Sequence, residues 1–473
     1  MTAQNFSPGR TSSDKTAFAF LVLALFYMLT GLVIGVIGGF QYILPPLLKD
    51  SFSFDKTRPL HVYLVITWIF TAAQAGLYYY LPRVANRPLY WPRGANIHFF
   101  LQLIISVLVI FLFFAGRFGG REYLEFPPWM GILIFLSWIP FAINFFFTLK
   151  PDFRNAPVYI WSWTTGIIFF FITLGESYLW IFDHFRTNIV RDVTIQWKAL
   201  GSMVGSWNML VYGTGMYIME KMSGDTRTFR SPLAFFFYFL GFTNLLFNWG
   251  HHTYIVPAAP WIKTVAYVIS MTELLILAHI IWKWRKTMSG ARKNYHLIPY
   301  RFLSFADAWI LLNLTLAIVI SVPAWNYYTH GTHITVAHAM GSTIGINTLL
   351  LFASVFYMLQ HERPRAFESK RQTIHYGLLI TNGALLVFWI SLLGSGIVKI
   401  ASRMQNEYFH QLMQKSQTWF KLFAYSGVFI LVGLGIMTVA ALALVRAGKE
   451  ALNSPVYGAI PDGEAAEMVS DLY

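Results

Sequence analysis

Residues 17–44 read AFAFLVLALFYMLTGLVIGVIGGFQYIL, without a single charged side chain. A helix rises about 1.5 Å per residue, and about 20 apolar residues cross the roughly 30 Å hydrocarbon core of a bilayer. The stretch is therefore a spanning helix. It is too long for a secretory signal, and no small-residue cleavage site with a mature domain follows it. The same reading recurs at 61–82, 97–116, 129–148, 158–178, 195–219, 233–255, 262–284, 303–323, 333–359, 374–396 and 419–446. Twelve spans predict an all-α, polytopic membrane protein. Its membrane domain covers 17–446, between a tail of residues 1–16 and one of residues 447–473.

The composition agrees. Of 473 residues, 56% are hydrophobic, 18% aromatic and only 12% charged. A soluble enzyme carries about a quarter charged residues, and a disordered chain has few aromatics. The absence of cysteine excludes disulfides, iron–sulfur clusters, thiolate-bound zinc and cysteine-ligated copper within the chain. The net charge of +14 sits in short loops between apolar runs. It reads as a topology signal and not as a nucleic-acid surface. The loops richest in Lys and Arg, 285–301 and 361–371, lie on the side of the two termini. The positive-inside rule then puts both termini in the cytoplasm.

Ionisable side chains at membrane depth usually have a function. His98, His184, His296, His361, His375 and His410 fall at loops or span edges and read as interfacial. His279 stands alone near a span end and reads as structural. His61, His251, His252 and His338 lie deeper. His251 and His252 are adjacent, so their directions on a helix diverge by about 100°. A local distortion could still bring both imidazoles to one metal, and Pro257 follows closely. The bland alternative is a pair of histidines hydrogen-bonded across a bundle. His338 and Met340 lie two apart, about 200° around a helix. One helix could thus offer an axial ligand to a heme on each side of it, since His and Met are both ordinary heme ligands. His61 would complete the ligation of one of them.

At these residues the chain resembles the heme–copper oxidase superfamily, and within it the catalytic subunit of cytochrome c-dependent nitric oxide reductase. RPLHVYLV at 58–65, holding His61, is similar to the segment bearing the low-spin heme ligand. GGREYLEFP at 119–127 resembles the periplasmic loop whose second glutamate, here Glu125, binds a calcium linking the heme propionates. GHH at 250–252 matches two of the three histidines on the non-heme iron, and Glu273 falls where the family has a glutamate beside that iron. NYYTHGT at 326–332, with His330, matches the propionate-side motif, and His338 the proximal histidine of the high-spin heme.

The resemblance implies a heme–copper oxidase subunit I-like bundle in the bacterial inner membrane. It implies two hemes, of heme b type, a non-heme iron and a calcium. NO would be reduced to N2O with electrons from a membrane-anchored cytochrome c subunit or a soluble cytochrome c. His251, His252 and Glu273 would form the catalytic iron site. Alternatives are a nitric oxide dismutase-like enzyme, an oxygen reductase, or a non-catalytic electron relay or NO-binding subunit. A transporter would suit twelve helices but not the four deep histidines and the two loop motifs together.

The chain also departs from the family. Aligned on Trp207, the sixth-span His and Glu that reach the iron become Leu200 and Val204. The window 196–204 offers no histidine or carboxylate, although Lys198 could stand there as a fixed charge or snorkel to the interface. The family's second tenth-span histidine is Met340. A thioether in that position generally raises the heme potential.

Overall fold

The computed structural model describes residues 12–272 and 284–448. Among these there is no β-strand, only an isolated bridge between Arg121 and Leu124. The helices follow the apolar runs in order. The first five are Ser12–Gln41, Phe54–Ala85, Pro92–Phe114, Trp129–Leu149 and Val158–Glu176. The sixth is Ile189–Ser223, the seventh Pro232–Phe247 with a 3-10 extension Asn248–Thr253, and the eighth Pro260–Ser270. The ninth is Leu297–Ser321, the eleventh Pro364–Met404 and the twelfth Phe409–Arg446. The tenth is composite: α-helix His333–Met340, a π-helical stretch Gly341–Thr348, then α-helix Leu349–Glu362.

Ten described helices are long and apolar enough to cross a bilayer. The sixth is longer than most but opens on Arg191 and Asp192 and carries Lys198. The eighth ends at Ser270, and residues 273–283, Glu273 and His279 among them, lie outside the described set. The described helices follow the order of the twelve apolar runs, and ten of them are long and apolar enough to span.

The helices overshoot the apolar runs. The second begins at Phe54, so His61 lies two turns inside it instead of at its start. The overshoot buries two histidines expected at the interface. His98 is 0% exposed, its Nδ1 bonded to the Tyr78 hydroxyl at 2.9 Å and its ring 4.8 Å from Phe20 of the first helix. His296 is 5% exposed and lies beside Gln360. Both are core residues between neighbouring helices.

At the helix ends opposite the loop holding Glu125, Arg83 ties three spans together. It donates to Asp14 at 2.9 Å and to Glu362 at 3.1 Å, and its guanidinium lies 3.6 Å over the Tyr79 ring. The two carboxylate side chains are 4% exposed. A buried charge is tolerable only when paired and hydrogen-bonded, and here Arg83 pairs with both carboxylates, with the Tyr79 hydroxyl donating to Glu362 as well.

Candidate heme and metal centre

His61 is anchored to the first helix. Its Nδ1–H donates to the Gly31 carbonyl at 2.7 Å. A carbonyl can only accept, so Nδ1 carries the proton and Nε2 keeps its lone pair. This is the hydrogen-bonding arrangement that orients a ligating histidine. The approach needs glycine: a Cβ at position 35 would lie 2.6 Å from both Nδ1 and Cε1 of the ring.

His338 and Met340 occupy one α-helical segment, so the 200° separation expected from their spacing holds. The π-helical stretch begins at the next residue, Gly341. Such stretches cluster at functional sites. His338 Nδ1 is buried without a hydrogen-bond partner. Met340 is partly buried against the core.

His251 and His252 sit in the 3-10 extension of the seventh helix. A 3-10 turn sets adjacent residues about 120° apart, so the distortion does not align them by itself. The side chains nevertheless bring the two Nε2 atoms to 3.0 Å. Asn248 Oδ1 accepts from His251 Nδ1–H at 3.0 Å and also from the Ser270 hydroxyl. His251 Nε2 is therefore a bare lone pair. His252 Nδ1 is buried with no partner. Either His252 donates Nε2–H to His251 and leaves Nδ1 as an unpaired acceptor, or two lone pairs face each other and a cation belongs between them. Two nitrogens at about 2.1 Å from a metal, at a right angle, are about 3.0 Å apart. The pair fits a metal as two cis ligands.

The sixth helix supplies packing to this site. Trp197 stacks on His252, ring centroids 4.3 Å apart and planes within 9°. Leu200 is 2% exposed, and Val204 is partly buried against the core. Lys198 leaves the site altogether and forms an ion pair with Glu176 of the fifth helix. His330 stands 5.7 Å from His252 and 5.8 Å from Trp197, ring to ring. His330 and His338 both interact electrostatically with the His251–His252 pair. The structure thus gathers four of the histidines singled out in the sequence and sets His61 apart on its own anchor. Among the described residues, no three histidine or carboxylate side chains group closely enough to hold a metal ion. A metal held by His251 and His252 would need its further ligands from outside these described groups or from solvent.

Glu125 lies in the loop 115–128. One oxygen is held by Arg58 in an ion pair, Arg58 also reaches Glu122 at 3.7 Å, and the other oxygen, Oε2, is buried without a partner. Burial pushes the carboxyl above its ordinary range, and Arg58 opposes this. The loop is shaped by the Gly119 and Gly120 N–H groups, both donating to the Glu125 carbonyl at 3.2 Å. The orphaned oxygen suits a second cation.

Sequence reasoning missed Trp197, Arg58, Gly31, Gly35, Asn248 and Ser270. A signal existed for the glycines, which lie one helical turn apart in the first span. Trp197 stood in the window set aside for lacking metal ligands.

The family model for Cytochrome C and Quinol oxidase polypeptide I matches residues 15–430. A nitric oxide reductase subunit of Stutzerimonas stutzeri is 22% identical over 465 residues, covering 91% of this chain and 95% of its own length. The Cbb3-type cytochrome c oxidase subunit CcoN1 of the same organism is 22% identical over 427 residues, 87% of each chain. In three dimensions the chain is similar to a heme-copper terminal oxidase dimer solved by cryo-EM. That likeness has a TM-score of 0.71 at 11% identity and covers 94% of this chain and 86% of the other.

Proposed function

The chain belongs to the family of Cytochrome C and Quinol oxidase polypeptide I, and from that membership we propose that it is a nitric oxide reductase-type membrane oxidoreductase. It takes electrons from a cytochrome c, as a subunit or a soluble donor, and converts two NO, two protons and two electrons to N2O and water. The observation that carries this reading is the His251–His252 pair, two imidazole nitrogens at cis-ligand spacing beside His338. The loop motifs at 119–127 and 326–332 and the reductase relative's coverage favour NO over oxygen. The distribution of Lys and Arg supports a cytoplasmic location for both termini.

In this reading His61 and Met340 hold a low-spin heme b and His338 a high-spin heme b. His251, His252 and Glu273 hold a non-heme iron, a two-His-one-carboxylate set that suits Fe(II). When bound, these groups pass single electrons and hold the gas molecules. The chain's own side chains do the rest. The Gly31 carbonyl and Asn248 fix the tautomers of His61 and His251. Trp197 holds the plane of His252. Leu200 and Val204 make the sixth-helix wall apolar, which suits a neutral gas. His330 lies on the propionate side, where burial lowers its pKa and favours the neutral ring. Glu125 offers its unpaired oxygen to a calcium next to the propionates.

A second reading is favoured by Leu200 and Val204: without the sixth-span ligands the second metal is absent and the chain relays electrons or binds NO. Gas analysis of the purified protein with a reduced donor separates the possibilities. N2O formed from NO, with little oxygen consumption, supports the reductase. Dinitrogen and oxygen from NO support a dismutase, oxygen reduction alone supports an oxidase, and no turnover supports the relay.

A further inference from the structure

Tyr63, Ile66, Thr67, Phe70 and Gln74 fall on the face of the second helix opposite His61, by helical spacing. They line a partly open cavity of about 70 Å³ between the third, fourth and fifth helices, with Tyr123, Leu124 and Phe126 of the loop 115–128 and Met203 of the sixth helix at its wall. Most of the wall is apolar. The exception is chemically specific. Gln74 is 0% exposed, and both its amide nitrogen and its amide oxygen lack a hydrogen-bond partner. Near it, Gln102 donates to the Thr71 hydroxyl. Higher in the same cavity, Tyr63 donates to Ser106 at 3.1 Å, and the Ser137 hydroxyl keeps its accepting lone pairs while donating to Ile134.

Two occupants fit the space. An apolar gas would gain dispersion contacts with the aromatic wall but would leave the Gln74 amide unpaired. Burying an amide with no partner is costly, and an apolar gas offers it neither a donor nor an acceptor. Water removes that cost. Each molecule needs about 10–15 Å³ of room for its centre and two to four polar partners. The volume accommodates several, and the amides and hydroxyls supply the partners.

We propose that this cavity is a buried water site, anchored by the Gln74 amide and running between the Gln74–Gln102 level and the Tyr63–Ser106 level. The inference does not depend on the substrate or on the second metal.

The test is a density map of the full-length protein fine enough to show ordered water, paired with the same preparation under xenon. Ordered water within hydrogen-bond distance of Gln74 Nε2 and Oε1, and no xenon there, is the expected result. Xenon in the unmodified cavity, or a cavity with no density, overturns the proposal. Gln74→Leu should lose the water next to residue 74 and gain xenon while the heme spectrum stays unchanged. Water retained in that variant also overturns the proposal. Should Gln74→Leu fail to assemble, Gln74→Met carries the same comparison, and the measurements on the unmodified protein stand alone.

Discussion

The His61 imidazole lies so close to Gly35 of the neighbouring helix that a methyl group there would sit 2.6 Å from both Nδ1 and Cε1. The same ring donates to Gly31 one turn earlier. The first helix therefore sets both the position and the tautomer of His61. Gly35→Val should push the ring off its axis and remove the low-spin heme band, with the high-spin CO spectrum largely kept. Visible spectra of the reduced protein with and without CO check this. A full low-spin band in the variant would separate His61 from that heme.

His338 and Met340 face opposite sides of one short helix. If Met340 ligates the low-spin heme, the ferric protein should show the weak long-wavelength band of thioether-to-iron charge transfer. Met340→His should abolish that band and lower the midpoint potential. Redox titration with optical detection measures both. A bis-histidine spectrum in the unmodified protein would exclude Met340.

The spans were legible because each hydrophobic run exceeds what a soluble core helix needs. Their ends were not, since helices such as Pro364–Met404 continue well past the apolar stretch, where hydropathy has no signal. That is why His98 and His296 read as interfacial and prove to be core. That Leu200 and Val204 stand where the resemblance expects metal ligands could be proposed from the sequence alone. The stacking of Trp197 on His252 could not, because it depends on how two distant helices meet. The convergence of His251 and His252 arises from side-chain rotation, which sequence spacing does not encode. The π-helical stretch after Met340 likewise leaves no mark in the pattern of residues.

Arg83 serves Asp14 and Glu362 at once. Removing one partner from a buried ion cluster typically costs about 3–5 kcal/mol, because the remaining charges are stranded. Arg83→Met should lower the thermal midpoint markedly and leave heme content unchanged at low temperature. Thermal unfolding in detergent, followed by tryptophan fluorescence, reports it. An unchanged midpoint would mean that the cluster contributes little.

Glu125 binds a cation only as the carboxylate. Burial raises its pKa and Arg58 opposes the rise, so protonation begins at a higher pH than for an exposed glutamate. Calcium content should therefore fall as the pH is lowered, and Arg58→Ala should move that loss to still higher pH. Glu125→Gln should abolish it throughout. Calcium analysis after buffer exchange at a series of pH values gives the curve. Calcium retained in Glu125→Gln would place the ion elsewhere.

The paired Nε2 atoms of His251 and His252 make the second metal the decisive question. It is answered by counting hemes and non-heme iron per polypeptide in the purified protein. Two hemes and one non-heme iron are expected, with that iron lost in His252→Ala and reduced in Glu273→Ala while both hemes stay. Two hemes with no second metal in the unmodified protein would contradict the nitric oxide reductase reading and leave the heme relay in its place.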